Sequence, residues 1–430
     1  MTGTNGYGPK RNGIVTVLDV GTSKVGCLIA RSTPAPHWLA EQGQPTQLKV
    51  IGFGLQRSQG IKSGVVIHMD SAEQAIRAAV DQAERMAGLT VEDVILSVSC
   101  GRLASDCFSA SVAVTADAVR SQDIDRVLSA GRDYAARDGR MVLHALATGY
   151  RLDDNAGIND PRGMMGDRLA VDVHAVTVDD PPLKNLILCV ERCHLSVAGI
   201  AAAPYASALA TIVDDEAKLG ATCIDLGAGT TTLAVFADGH FVYSDALALG
   251  GHHITLDLAR SLTTPLEQAE RIKTLYGCAF PTASDEGEII TFPTVGEEDV
   301  PQLNQISKAT VAELLQPRVE QIFEAVSERL AASGLGAVAG QRVVLTGGGS
   351  QLTGLPELAK RVLGKSVRLG RPRLMAGLPE DTGPSFATAI GLLLQSERPD
   401  AELPSLSQGH FLRTGTGYLA RVGQWIRESF

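Results

Sequence analysis

"IVTVLDVGTSKVGCLIA" (residues 14–30) and "ATCIDLGAGTTTLAVFADGHFVYSDALALGG" (residues 221–251) are built on one plan. In each, an apolar β run ends in an aspartate, a tight turn of small residues follows, and a second apolar β run leads away. Superposing the two sets Asp19 on Asp225, Gly21 on Gly227 and Ser23 on Gly229. One such hairpin is an ordinary way to cap a pair of strands. Two of them, far apart and with their acids in register, predict a duplicated domain whose halves face each other across a cleft.

The turns carry a chemistry. Gly, Ser and Thr let backbone N–H groups point at an anion with no Cβ in the way. Gly21, Thr22, Ser23 and Lys24 are therefore suited to one phosphate group, with Lys24 as a point cation. Gly227, Ala228, Gly229, Thr230 and Thr231 are suited to another, so that a polyphosphate is clamped between the halves. Asp19 and Asp225, one at each strand end, suit a hydrated Mg²⁺, which binds through few carboxylates and keeps its waters. A third glycine turn, "TGGGS" (346–350), follows a buried β run in "QRVVLTGGGSQLTGLPELAKRVLG" (341–364). It lacks the spaced glycines and the acid about 20 residues on that a dinucleotide turn requires. Gly347, Gly348, Gly349 and Ser350 instead let an adenine ring lie flat against backbone. Neither a Ser/His/Asp grouping nor a metal-hydrolase motif accompanies these turns.

The chain around them has 430 residues, which calls for two or more domains. Only 4% of the residues are aromatic, so the cores must be built from Ala, Val, Leu and Ile. A formal net charge of −10 argues against nucleic acid, whose phosphates need clustered Lys and Arg. The cysteines, Cys27, Cys100, Cys107, Cys189, Cys193, Cys223 and Cys278, are odd in number and irregularly spaced. They read as free, mostly buried thiols of a reducing compartment. Cys189, Cys193 and His194 form the one cluster, but no second pair completes a four-ligand site, and core packing is the better reading. "MTGTNGYGPKRNG" (1–13) is polar and is followed by no signal-peptide core. No apolar run approaches the roughly 20 residues that span a bilayer. The body is expected in the cytoplasm.

Helical stretches separate the hairpins. "SAEQAIRAAVDQAERMAG" (71–88) has Ser71 as N-cap and Gly88 as its end. "LEQAERIKTLYG" (266–277) and "ATVAELLQPRVEQIFEAVSERLAASG" (309–334) are also helical, and Pro317 is expected to kink or divide the latter. From Val94 to Val178 the pattern leaves the duplicated plan. Short β patterns ("VILSVS", "LAVDVHAVTV") alternate there with the helix "SQDIDRVLSAGRDYAA", an inserted α+β module. Residues 395–417 dissolve into Ser, Pro, Gly and Gln, a linker.

Taken in order, these motifs resemble the actin, heat-shock chaperone and sugar kinase ATPase superfamily. "VLDVGTSKVG" resembles its first phosphate motif, "CIDLGAGTTTLAVF" its second and "VVLTGGGSQLTGLPEL" its adenosine motif. "AAAPYASALAT" (201–211) and "SFATAIGLLL" (385–394) resemble the two connecting helices that hinge the halves. "AERIKTLYG" resembles the chaperone helix whose acid and lysine touch the nucleoside, here Glu270 and Lys273. Within the superfamily the chain is similar to the FtsA family, the bacterial cell-division actin homologues. "DPRGMMGDRLAVDVHAVT" (160–177) looks like that family's inserted subdomain.

The resemblance implies an α/β, actin-like two-lobed ATPase fold, with duplicated mixed β-sheet domains around a nucleotide cleft. The first lobe would comprise residues 13–92, 180–206 and 385–395, and the inserted α+β subdomain 93–179. The second lobe would comprise 207–243 and 317–384, with an outer part at 244–316. It further implies ATP with Mg²⁺, filament formation, anchoring of the tubulin-like FtsZ ring and recruitment of later division proteins. The family binds the C-terminal peptide of FtsZ on its second half, and Arg318 in "LQPRVEQIF" is a candidate contact. The alternatives are an actin-like scaffold of pilus assembly and a small-molecule kinase of the superfamily. One departure concerns turnover. Hydrolysing relatives place Glu or Gln in the first connecting segment to position water, whereas this chain has Ala202, Ala203 and Pro204. Alanine offers no base, so at most a slow ATPase is expected.

The last residues, "GYLARVGQWIRESF" (417–430), put Tyr418, Leu419, Val422, Trp425, Ile426 and Phe430 on one helical stripe. At about 1.5 Å per residue this helix is too short to cross a bilayer core of about 30 Å. It is suited to the interface, with Trp at headgroup depth and Arg421 and Arg427 toward anionic lipid. The expected location is the cytoplasmic face of the cell membrane, peripheral, at the division site.

Overall fold

The computed structural model describes residues 13–35, 46–135, 140–296, 303–336, 338–380 and 382–397. The expected linker beyond residue 397 and the terminal helix lie outside them, as do residues 1–12. The chain begins with an antiparallel meander, β1 (Ile14–Val20), β2 (Lys24–Pro34) and β3 (Thr46–Arg57), in which Asp19 stands opposite Gly26. A small ribbon, β4 (Ile61–Lys62) and β5 (Val65–Val66), leads into α1 (Met69–Ala87). This helix lies against β3 at a distance set by glycine: a Cβ on Gly54 would sit 1.8 Å from the Ala79 carbonyl oxygen. It begins two residues before Ser71, because His68 is the N-cap and its Nδ1 accepts the Ser71 N–H at 3.4 Å. Gly88 closes it in the left-handed conformation, as expected.

Next comes β6 (Asp93–Val98), which pairs parallel to β1 with Val17 opposite Ile95. It therefore lies inside the first sheet and not in the inserted module, where the sequence reading had put it. Val94 to Val98 are all buried, the signature of a strand covered on both faces. The inserted module follows it as β7 (Ala104–Ala113), α2 (Ser121–Ala135), β8 (Met141–Leu152), β9 (Asn155–Ile158) and β10 (Arg168–Val178). Its sheet, in the order β7-β10-β8-β9, packs Val171 and Val173 beneath Val127 of the helix. The chain then returns through α3 (Asp180–Glu191) to β11 (Ser196–Ala202), completing a first sheet ordered β11-β6-β1-β2-β3.

After α4 (Ala203–Thr211) and the short α5 (Asp214–Leu219), the plan repeats. β12 (Ala221–Leu226), β13 (Thr231–Ala237) and β14 (His240–Leu247) form a second meander. An outer part follows, made of α6 (Gly251–Leu262), α7 (Leu266–Tyr276) and the ribbon β15 (Ile289–Phe292) with β16 (Asn304–Ser307). Then come α8 (Lys308–Ala332), β17 (Arg342–Thr346) parallel to β12, α9 (Leu355–Leu363), β18 (Ser366–Leu369) parallel to β17, and α10 (Ala387–Ser396). The second sheet is ordered β14-β13-β12-β17-β18, strand for strand the order of the first.

Pro317 does not divide α8, which runs unbroken for 25 residues. The proline removes one backbone bond, but the buried side chains of Leu315, Val319, Ile322, Phe323 and Val326 hold both flanking turns against the second sheet. Two helices join the lobes. All nine residues of α4 are buried, and α10 crosses it where a Cβ on Gly391 would lie 1.8 Å from the Ala206 carbonyl oxygen. No helix among the described residues is long and apolar enough to cross a membrane.

Candidate functional site

The two aspartates end the first strand of each meander, and the turns after them close in the same way. Gly21 N–H donates to the Lys24 carbonyl at 2.9 Å, and Gly227 N–H to the Thr230 carbonyl at 2.9 Å. Thr230 thus occupies the place of Lys24 in the second turn. The turns face each other and touch: a Cβ on Gly229 would lie 2.3 Å from Thr22 Oγ1. The second turn is also buttressed from the outer part, since Gly251 and His252 donate backbone bonds to the Gly227 and Ala228 carbonyls at 2.9 and 2.8 Å. The Thr231 hydroxyl donates to the Leu249 carbonyl at 2.8 Å.

Lys24 is held against the segment that leads into α10. Its ammonium donates to the Ser385 carbonyl and sits 3.9 Å above the centre of the Phe386 ring. Burial pulls its pKa down, while the charges of Asp19 and Asp225 resist that shift. Burial likewise pushes Asp19 above the ordinary carboxylate range, against Lys24 and the Ser97 hydroxyl, which donates to Asp19 at 2.7 Å. Burial also raises Asp225; its bond from Ser207 opposes the shift and the charge of Asp19 adds to it. Two buried acids, of which Asp19 raises the proton affinity of Asp225, lack positive charge beyond the one Lys24 ammonium. That environment fits a hydrated divalent cation, for which Asp19 and Asp225 would be the carboxylates. Among the described residues no cluster of three or more His, Cys, Asp or Glu side chains is arranged to hold a metal.

Glu270 and Lys273 stand beside the second turn. Lys273 Nζ lies 2.7 Å from Glu270, donates to Thr255 Oγ1 at 2.7 Å, and reaches the Gly251 carbonyl at 3.1 Å. Burial works against the Glu270 carboxylate, but the Lys273 charge and the bonds from Lys273 and Thr255 outweigh it and hold the pKa low. Gly347 has a φ of +85°, and a Cβ there would meet Asp225 Oδ1 at 2.2 Å, so the triple-glycine turn rests on the second acid. Gly348 is exposed, and only the Ser385 side chain lies near its open face, at 3.7 Å. Gly349 backs onto Leu226, and Ser350 is buried with its hydroxyl bonded to the Gly347 carbonyl at 2.7 Å. Gly347 and Ser350 therefore shape the turn, while Gly348 presents its surface.

Arg318 lies apart from this cleft. Its Nε donates to Asp257 at 2.5 Å and its Nη1 to Gln321, leaving the side chain only a quarter exposed. Ala202 carries no acid or amide, and its N–H donates to Nε2 of the buried His144 at 2.8 Å. Sequence reasoning missed Ser97, Ser207, Thr388 and Phe386, which touch Asp19, Asp225 or Lys24. Only the placement of Ser207 and Thr388 in the two apolar connecting helices could have pointed to them.

The family model described as "SHS2 domain inserted in FTSA" matches residues 101–177, which is the inserted module, and that for "Cell division protein FtsA" matches residues 222–391. The chain is 49% identical over 424 residues to the cell division protein FtsA of Agrobacterium fabrum, covering 98% of this chain and 96% of that protein. It is 47% identical over 423 residues to that of Rhizobium meliloti, with the same coverage. Among solved structures, the PilM–PilN type IV pilus biogenesis complex matches with a TM-score of 0.60 at 17% identity, over 91% of this chain and all of that one, a likeness of fold. With that identity spanning nearly its whole length, the chain belongs to the FtsA family of cell division proteins, and its fold is actin-like.

Proposed function

We propose that this protein works in cell division as an ATP-binding, actin-like filament former that ties the FtsZ ring to the cytoplasmic face of the cell membrane and recruits later division proteins. The observation that carries the nucleotide reading is the meeting of the two glycine turns, Gly229 on Thr22, over a lysine flanked by both strand-end acids. The turns and Lys24 would hold the phosphates, Asp19 and Asp225 the waters of Mg²⁺, Glu270 and Lys273 the nucleoside, and Gly348 the face of the base. A Mg²⁺ ion held there would supply neutralisation of phosphate charge. Everything else falls to the chain: orienting the phosphates, excluding water and closing the lobes. With Ala202 to Pro204 where a base would stand and the His144 Nε2 engaged, nucleotide acts chiefly as a structural ligand. Calorimetry with ATP and Mg²⁺ should give saturable binding, with turnover far below that of a kinase. No heat of binding would refute the reading.

Arg318, already paired with Asp257, enters FtsZ-peptide binding only by exchanging that partner, so Arg318→Glu should weaken the peptide while ATP binding is preserved. The terminal stripe from Tyr418 to Phe430 would be the membrane anchor. Two arginines at about 1 kcal/mol each near anionic lipid give weak attachment per copy, which a filament multiplies through effective concentration. Trp425→Glu should abolish co-sedimentation with anionic vesicles; retained binding would refute the anchor.

A further inference from the structure

The two cleft acids are held differently. Among the described residues Asp19 accepts one side-chain hydrogen bond, from Ser97 of its own lobe. Asp225 Oδ2 receives two hydroxyls: Ser207 Oγ from α4 and Thr388 Oγ1 from α10, the latter at 3.2 Å. These hydroxyl oxygens lie 2.9 Å apart. Two protons serve the three contacts, so both hydroxyls face the carboxylate, directly or one through the other. Ser207 is wholly buried and Thr388 nearly so, beside the crossing of Gly391 over Ala206. The other oxygen, Oδ1, lies against Gly347. One carboxylate thereby joins both connecting helices, the second sheet and the triple-glycine turn.

We propose that Asp225 is the pin of the hinge. By holding Oδ2, Ser207 and Thr388 set the angle between the lobes together with the presentation of the carboxylate to a cation, so cation binding and lobe closure are coupled through these two hydroxyls. This makes Ser207 and Thr388 positioning residues, and it rests on the nucleotide reading above. A bond to a charged group, lost on one side only, corresponds to about tenfold or more in affinity.

The test compares Thr388→Val, which keeps shape and loses the hydroxyl, with Thr388→Ser, which does the reverse. Full-length protein is titrated with Mg²⁺ at fixed ATP, and hydrogen exchange is followed in α4 and α10 without nucleotide. Thr388→Val should need about tenfold more Mg²⁺ and should exchange faster in both helices, including α4, which carries no substitution. Thr388→Ser should match the wild type in both respects. Equal impairment of the two variants would assign the effect to packing and overturn the proposal, as would either readout unmoved in Thr388→Val. Should the wild type bind no nucleotide, the cleft reading fails, and the exchange data still decide the pin. Ser207→Ala replaces Thr388→Val if the latter does not fold.

Discussion

Gly229 is buried and faces Thr22, whose Oγ1, Cβ and Cγ2 would lie 2.3, 2.9 and 2.9 Å from any Cβ placed there. No unusual backbone angle is involved; the constraint is space. Thr22 is β-branched and stiff, and its Oγ1 already accepts the Gly64 N–H at 3.3 Å, so an added methyl must part the turns. Overpacking of this kind costs about 1–3 kcal/mol. Gly229→Ala should therefore bind ATP about tenfold more weakly, read by calorimetry, with a Tm lower by a few degrees. Thr22→Gly on the same background should recover much of the loss. At this scale the sequence was readable wherever a residue marks a pattern. Asp19, Asp225 and Lys24 flank glycine turns, and the register of the two hairpins is a string comparison. Ser207, Thr388 and Phe386 gave no such mark, because a hydroxyl in an Ala- and Leu-rich helix looks the same whether it back-bonds within the helix or reaches a carboxylate on another strand.

Elements were legible where one period ruled and misread where two readings share it. A fully buried parallel strand such as β6 shows an apolar run without alternation, so nothing local separated it from the module that follows. In α8 the local rule about Pro317 was overridden by packing on both sides of it. The four charged residues of α5, by contrast, hide a structural joint. Glu216 Oε1 accepts bonds from Arg342 Nε at 2.9 Å on β17 and Arg368 Nε at 2.7 Å on β18, and Arg368 also donates to the Thr211 carbonyl at the end of α4. Burial alone would raise the Glu216 pKa, but the two arginines and the Val213 N–H bring it down to about 2 from 4.5. A carboxyl depressed in the folded state is protonated first in the unfolded one. Its stabilisation is complete above pH 4.5 and is lost as the pH falls toward 2. The whole effect is at most about 3 kcal/mol. Glu216→Gln should lower the Tm at pH 7 and flatten its decline between pH 4.5 and 2; parallel curves for mutant and wild type would refute the assignment.

At the scale of the molecule, duplication was the most legible feature, since two copies of a motif imply two copies of a sheet. How the copies are joined was not, because joints depend on approach distances that no pattern records. Three joints emerge. The inserted module, carried by the first lobe in sequence, reaches the second lobe through the Ser244 N–H, which donates to Ser105 Oγ at 2.6 Å. Beside it His174 packs edge-on against Phe241, and burial, with the charge of His144 adding, pushes its pKa down to about 3, so the joint stays neutral at working pH. The turns meet at Thr22 and Gly229. The connecting helices meet at Gly391, where backbone lies directly on backbone, and α4 is packed into the apolar cores on both sides of the first sheet. A methyl on Gly391 would fall 1.8 Å from the Ala206 oxygen and 2.3 Å from its carbon, atoms of a helix that cannot give way singly. Gly391→Ala must displace α10 or α4 as a body, although alanine is the better helix former by about 1 kcal/mol. If the crossing is what makes the lobes unfold together, the wild type should unfold in a single calorimetric transition and this variant in two, with the first-lobe transition lowered, since α10 packs on β1 and β6. A single transition at the wild-type Tm would mean that the lobes are coupled elsewhere, through the inserted module.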